Sequence, residues 1–130
     1  FLSKHALVSS MIEVQGDSHH LVPKDYLRKN GVNDKRDYNQ VANYAFAETA
    51  VNIRIGNRMP SEYLGEVFSQ IESAEPTLGE ITSREDLDRN FEFNAIPQSL
   101  VDTTVENYHE FLQKRRSLMA VKLREYYRDL

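Results

Sequence analysis

The prediction of the fold begins with the stretch Asp17-Ser18-His19-His20-Leu21-Val22-Pro23. It is typical of a short strand that ends at Pro23, because proline cannot donate a hydrogen bond to a sheet ladder. Successive side chains on a strand point to opposite faces. We therefore expect His19 and His20 to lie in different environments and to perform different tasks.

The flanking residues predict a β-hairpin followed by helices. Apolar residues within 6–14 indicate a first strand, Gly16-Asp17 a turn or bulge, and residues 18–22 the return strand. Helical spacing and end signals then predict helices over Lys24–Lys29, 48–55, 60–71, a short segment from Ser83, and a long segment from Thr104 to Leu130. Polar loops are expected at 33–37 and 75–79, and an ordered loop leading into a short apolar segment at 39–46.

Composition sets bounds on the class of protein. The 130 residues, 40% of them hydrophobic, fit one domain with a real core. There is no cysteine, so any metal must be held by His, Asn, Asp or Glu. No apolar run in the sequence is long enough for a membrane span, and we expect a cytoplasmic protein without a membrane partner. We expect the chain to be the C-terminal part of a longer polypeptide.

Charge is distributed unevenly along the chain. The formal net charge is −4, but residues 17–60 carry +2 and residues 107–130 carry +3, while residues 61–106 carry −9. Duplex DNA is bound mainly through phosphate contacts from Lys and Arg. If DNA is the partner, the basic segments are expected to face it, the acidic segment to face away, and the affinity of this domain alone to be weak.

Three segments together carry a resemblance to a known family. They are Gly16 to Leu27, the run Tyr38-Asn39-Gln40-Val41-Ala42-Asn43, and Asn52 followed by Pro60-Ser61-Glu62-Tyr63. This pattern resembles the HNH, or His-Me finger, nucleases, and most closely the C-terminal domain of GmrSD-type restriction proteins and of the phosphorothioate-sensing defence protein SspE. The resemblance is strong over residues 8–64 and weaker towards Leu130.

The resemblance implies an α+β fold with a ββα-metal core. Residues 1–72 would form the nuclease core, and residues 73–130 a helical extension packed on the same domain. His20 would be the general base and His19 a metal ligand, at a place where many HNH proteins use aspartate. Asn43 would hold the hairpin and the base in position, and Asn52 would be the second metal ligand. Gly56 departs from the pattern, because some relatives carry a further histidine ligand there.

The chemistry of phosphodiester hydrolysis agrees with these roles. A cation polarises a phosphate oxygen while a base deprotonates the attacking water. An unperturbed imidazole has a pKa of about 6.5, so histidine can take a proton at neutral pH. Imidazole, amide and water ligands suit Mg²⁺ or Mn²⁺, and an imidazole also admits Ni²⁺ or Zn²⁺ in a crystal.

Other polar residues near the motif keep alternative interpretations. Asp17 fits a turn residue, a metal ligand or a partner that orients His19. Lys24, Arg54 and Arg58 fit phosphate contacts or solvated surface positions. Asn39 is interpreted as an amide that bridges the loop without a chemical role. The remaining histidines, His5 and His109, are assigned to structure or surface.

The sequence therefore predicts a metal-dependent DNA endonuclease that nicks DNA. The resemblance implies an effector domain of an anti-phage restriction protein, with an upstream sensing and nucleotide-hydrolysing domain in the same polypeptide. A double-strand break would need a dimer or two visits, so an oligomer is compatible with this prediction. The rival interpretation is a non-catalytic docking domain that retains the HNH scaffold and uses its long helix to bind a partner.

Overall fold

The computed structural model describes residues 1–3 and 16–130. Two strands and six α-helices follow one another: β1 (Gly16–His20), α1 (Lys24–Lys29), α2 (Lys35–Tyr38), β2 (Tyr44–Glu48), α3 (Thr49–Ile55), α4 (Pro60–Ser73), α5 (Arg84–Phe93) and α6 (Tyr108–Arg128). Short 3-10 turns lie at Val41–Asn43, Gln98–Asp102 and Val105–Asn107. This mixture of helices with an antiparallel pair of strands is compatible with the predicted α+β class.

The sheet of the described residues has two antiparallel strands. β1 pairs with β2, so that Gly16 lies opposite Glu48 and His20 opposite Tyr44. The turn or bulge predicted at Gly16-Asp17 is wrong, because both residues belong to β1 and pair one to one with Glu48 and Ala47 of β2. The first hairpin strand predicted within residues 6–14 lies outside the described residues.

Strand β2 was not predicted as a strand. Its alternation is weak in the sequence because Ala45 and Ala47, the buried positions, are small, while Phe46 between them is 41% exposed. The loop predicted over 33–37 is also partly wrong, since α2 begins at Lys35. Asp34 starts this helix by accepting a hydrogen bond from the Arg36 backbone N–H at 2.9 Å.

The predicted helices are confirmed, and their ends coincide with the signals in the sequence. Gly31, with a positive φ of 98°, follows α1, and Pro60 occupies the first turn of α4. Ser83 caps α5 by accepting a hydrogen bond from the Asp86 backbone N–H at 3.1 Å. The helix predicted to begin at Thr104 opens with a capped 3-10 turn before α6.

One buried cluster joins the strands to the helices. It includes Leu21 after β1, Val51 on α3 and Tyr63 on α4, together with Leu100 and Phe111 from the C-terminal stretch. α3 packs against both strands. The stretches 1–72 and 73–130 thus contribute to the same core among the described residues.

Arg115 on α6 is a buried cation that holds three segments together. Its guanidinium donates to the carbonyl oxygens of Ala42 at 2.9 Å, Tyr44, and Asn94 at 3.1 Å. Burial lowers the pKa of Arg115 to about 10. The side chain thereby attaches α6 to the start of β2, next to the strand that carries the two histidines.

Replacing Arg115 by Leu should lower the free energy of unfolding by about 2–4 kcal/mol, because three carbonyl groups lose a charged donor. Urea unfolding followed by circular dichroism measures this change. The neighbouring Arg116 is exposed and serves as the control. Arg116→Leu should change stability by less than about 0.5 kcal/mol. Equal effects of the two substitutions would contradict the assignment.

Candidate metal and nuclease site

Strand β1 places the two adjacent histidines in different environments, as predicted. His19 is 3% exposed and lies parallel to the ring of Phe1 at 5.9 Å and edge-on to Tyr63 at 6.1 Å. His20 is half-buried, and its ring lies 4.6 Å from that of Tyr44, its cross-strand partner. One imidazole is thus fixed within the core, while the other is accessible to solvent.

Helix α3 brings Asn52 against His19. The His19 Nδ1 atom and the Asn52 Oδ1 atom are 2.8 Å apart. The second ring nitrogen, Nε2, is buried and has no hydrogen-bond partner among the described residues. Burial is the main cause that lowers the pKa of His19 to about 4, so this imidazole is neutral at physiological pH.

His20 is held by a different set of side chains. Its Nε2 atom lies 3.0 Å from the Oδ1 atom of Asn39, which also accepts a hydrogen bond from the Tyr44 hydroxyl at 2.8 Å. Sequence reasoning gave Asn39 no chemical role. The contact could not be found from the sequence, because it depends on the register of β1 with β2.

Asn43 braces the backbone that follows β1. Its buried side chain accepts from the Val22 N–H at 2.9 Å and donates to the carbonyls of Val22 at 3.0 Å and Tyr38 at 3.3 Å. The backbone carbonyl of Asn43 accepts a hydrogen bond from the Leu21 N–H at 2.8 Å. Asn43 thus fixes the backbone of Leu21 and Val22, the two residues that follow His20.

A shallow cleft of about 210 Å³ contains both histidines and Asn52. The remaining lining residues are Ser18, Pro23, Lys24, Asp25, Gly56 and Asn57. Lys24 therefore lies where it would contact an anionic ligand in the cleft. Asp25 and Asn57 were not predicted as lining residues. The only signal in the sequence is their position, two residues after Pro23 and one residue after Gly56.

The other predicted contact residues lie outside this lining. Arg54 Nε is 3.0 Å from Glu66, and Arg58 also pairs with Glu66, at 2.9 Å. These two arginines link the end of α3 and the following loop to α4. Asp17 accepts a hydrogen bond from the Thr49 hydroxyl at 3.3 Å, which joins β1 to the first residue of α3.

The donor set at His19 and Asn52 fits a divalent cation. Two neighbouring ligands of octahedral Mg²⁺, each about 2.1 Å from the ion, lie roughly 3 Å apart. The 2.8 Å separation of Nδ1 and Oδ1 therefore suits a shared ion as well as a direct hydrogen bond. Among residues 1–3 and 16–130, no cluster of three or more His, Cys, Asp or Glu side chains could hold a metal. Waters and phosphate oxygens would complete the coordination, as is usual for Mg²⁺.

Comparisons with family models, curated proteins and solved structures gave no match to this chain. In the part of the chain that the structure describes, no helix combines the length and the apolar content required to cross a bilayer.

The buried His19 predicts a pH-dependent stability of the metal-free protein. Its pKa is about 4 when folded and about 6.5 ordinarily, so the unfolded chain takes up the proton first as the pH falls. The stabilisation is complete above about pH 6.5 and is lost towards about pH 4. The loss amounts to about 3 kcal/mol.

The measurement is urea unfolding with EDTA at neutral pH and at about pH 4, for the wild type and His19→Gln. Carboxylates titrate in the same range, so the difference between the two proteins isolates His19. The wild type should lose about 3 kcal/mol more than the variant. Equal losses would show that His19 is not buried in its neutral form.

Proposed function

We propose that the chain is a metal-dependent DNA endonuclease domain of the HNH (His-Me finger) class, with β1, β2 and α3 forming its ββα-metal core. The observation that carries the proposal is the pair of adjacent histidines with separate environments in one cleft. Buried His19 contacts Asn52, while accessible His20 is held by Asn39. Such a division of environments suits one metal ligand and one proton acceptor.

In this proposal His20 acts as the general base and removes a proton from the attacking water. His19 and Asn52 hold the divalent cation, Mg²⁺ or Mn²⁺, through an imidazole nitrogen and an amide oxygen. The cation, when bound, reduces the charge on the phosphate and stabilises the departing 3′ oxygen. Asn43 keeps the backbone after β1 in place, and Lys24 provides a positive charge at the edge of the cleft.

One base and one cation position suit single-strand nicking at each site. We also propose that the chain acts in restriction, that an upstream domain of the same polypeptide senses DNA and hydrolyses nucleotide, and that modified DNA is selected. These three points rest on the resemblance in the sequence. Arg54 and Arg58 are paired with Glu66, so we assign the phosphate contact nearest the cleft to Lys24 instead.

Nicking of supercoiled plasmid with Mg²⁺ or Mn²⁺ tests this function. His20→Ala should slow nicking by about 10²- to 10⁴-fold, the usual contribution of a general base. His109→Ala changes an exposed histidine on α6 and should leave the rate unchanged. Circular dichroism establishes that the variants are folded. A wild-type rate for His20→Ala would overturn the assignment of the base.

The second candidate function is that of a non-catalytic docking domain. The C-terminal half of α6 supports it. Beyond Arg115 no residue of α6 is buried. Several large apolar side chains there are at least one-third exposed: Leu118, Val121, Leu123, Tyr126 and Tyr127, together with Leu130 after the helix. Exposed apolar surface of this kind is characteristic of protein interaction sites.

Calorimetric titration with Mn²⁺ separates the two candidates. A nuclease domain should bind Mn²⁺, and Asn52→Leu should weaken binding at least about tenfold by removing an amide ligand. Asn33→Leu, at an exposed position in the loop before α2, is the matched control and should bind as the wild type does. A folded wild type that neither binds Mn²⁺ nor nicks DNA would support the docking candidate.

A further inference from the structure

We infer that Asn39 is a positioning residue that fixes the ring of His20 with the proton on Nε2 and the lone pair on Nδ1. The consequence for catalysis rests on the proposed function, in which His20 is the base. The state of the ring itself does not depend on that proposal. The inference is carried by the contacts of one oxygen atom, Asn39 Oδ1.

An amide oxygen can only accept hydrogen bonds. Asn39 Oδ1 lies 2.8 Å from the Tyr44 hydroxyl, which donates to it, and 3.0 Å from His20 Nε2. The second contact is a hydrogen bond only if Nε2 carries the proton. In a neutral imidazole the other nitrogen, Nδ1, is then the atom that accepts a proton.

Tyr44 contacts both Asn39 and His20. Its hydroxyl donates to Oδ1, and its ring is tilted by 51° against the imidazole, with 4.6 Å between ring centroids. Because Tyr44 lies opposite His20 in the ladder, this contact is fixed by the register of the strands. The imidazole is thus held both by a hydrogen bond and by a ring contact.

The backbone of Asn39 is itself held in place. It follows α2, and its N–H donates to the Lys35 carbonyl at 2.9 Å, so the side chain extends from a helix end. No hydrogen bond to His20 Nδ1 is formed within the described residues, and His20 lines the cleft. Asn39 acts on the ring of His20, whereas Asn43 acts on the backbone after it.

The direct test is the tautomer of His20, read from the ¹⁵N chemical shifts of its ring nitrogens by NMR in a buffer in which imidazoles are neutral. The wild type should show a protonated Nε2 and an unprotonated Nδ1. In Asn39→Leu, which has no acceptor, the two shifts should move towards each other. A protonated Nδ1 in the wild type, or shifts unchanged in Asn39→Leu, would overturn the inference whether or not the protein nicks DNA.

Kinetics provide the second readout. Asn39→Leu should lower kcat for nicking about 10- to 100-fold with little change in KM, as expected for a partner that orients a catalytic side chain. Asn39→Asp keeps an acceptor oxygen and should stay within about threefold of the wild type. Asn33→Leu serves as the surface control. Equal rates for Asn39→Leu and Asn39→Asp would contradict the positioning role, whereas an inactive wild type with the expected tautomer would count against the nuclease proposal alone.

Discussion

The hydrogen bonds of the Asn43 side chain join the residue before β2 to Val22, just after β1, and to Tyr38 at the end of α2. One amide satisfies both backbone groups of Val22 and the carbonyl of Tyr38, in a place from which water is excluded. Unsatisfied backbone groups at such a position would each cost about 1–3 kcal/mol. The end of β1, and with it the direction of His20, therefore depends on this residue.

The fold places the adjacent residues His19 and His20 in opposite surroundings. The face of β1 with His19 meets Phe1, Tyr63 and α3, so the His19 ring is shielded from water, and its Nδ1 atom contacts the polar side chain of Asn52. The opposite face meets Tyr44 and Asn39 at the surface. The period of two in a strand is sufficient to produce this difference. Arg115 on α6 holds the start of β2 by donating hydrogen bonds to the carbonyl oxygens of Ala42 and Tyr44.

Much of the helical part was predictable because its signals are local. Asn30-Gly31 after α1, Pro60 in α4 and Ser83 before α5 each mark an end through the conformation or hydrogen bond that the residue supplies. Strand β2 was missed because a pair of alanines gives little hydrophobic contrast. Its pairing with β1 depends on residues more than twenty positions apart, which no local pattern reveals.

The candidate site was predictable to a similar extent. The sequence placed His19, His20, Asn43 and Asn52 together, and the structure brings them together, since His19 contacts Asn52 and Asn43 braces the residues after His20. Arg54 and Arg58 were interpreted from the sequence either as phosphate contacts or as solvated surface positions. Their partner Glu66 lies on the next helix, and that pairing is a tertiary feature. The role of Asn39 likewise follows from geometry rather than from residue type.

The most direct test of the central claim is a titration with paramagnetic Mn²⁺ that follows amide signals by NMR. The account predicts that signals of His19, His20 and Asn52 broaden first, while those of the acidic helix α5, including Glu85 and Asp88, persist until much higher Mn²⁺ concentrations. Broadening that begins at α5 and spares Asn52 would contradict a cation site between His19 and Asn52.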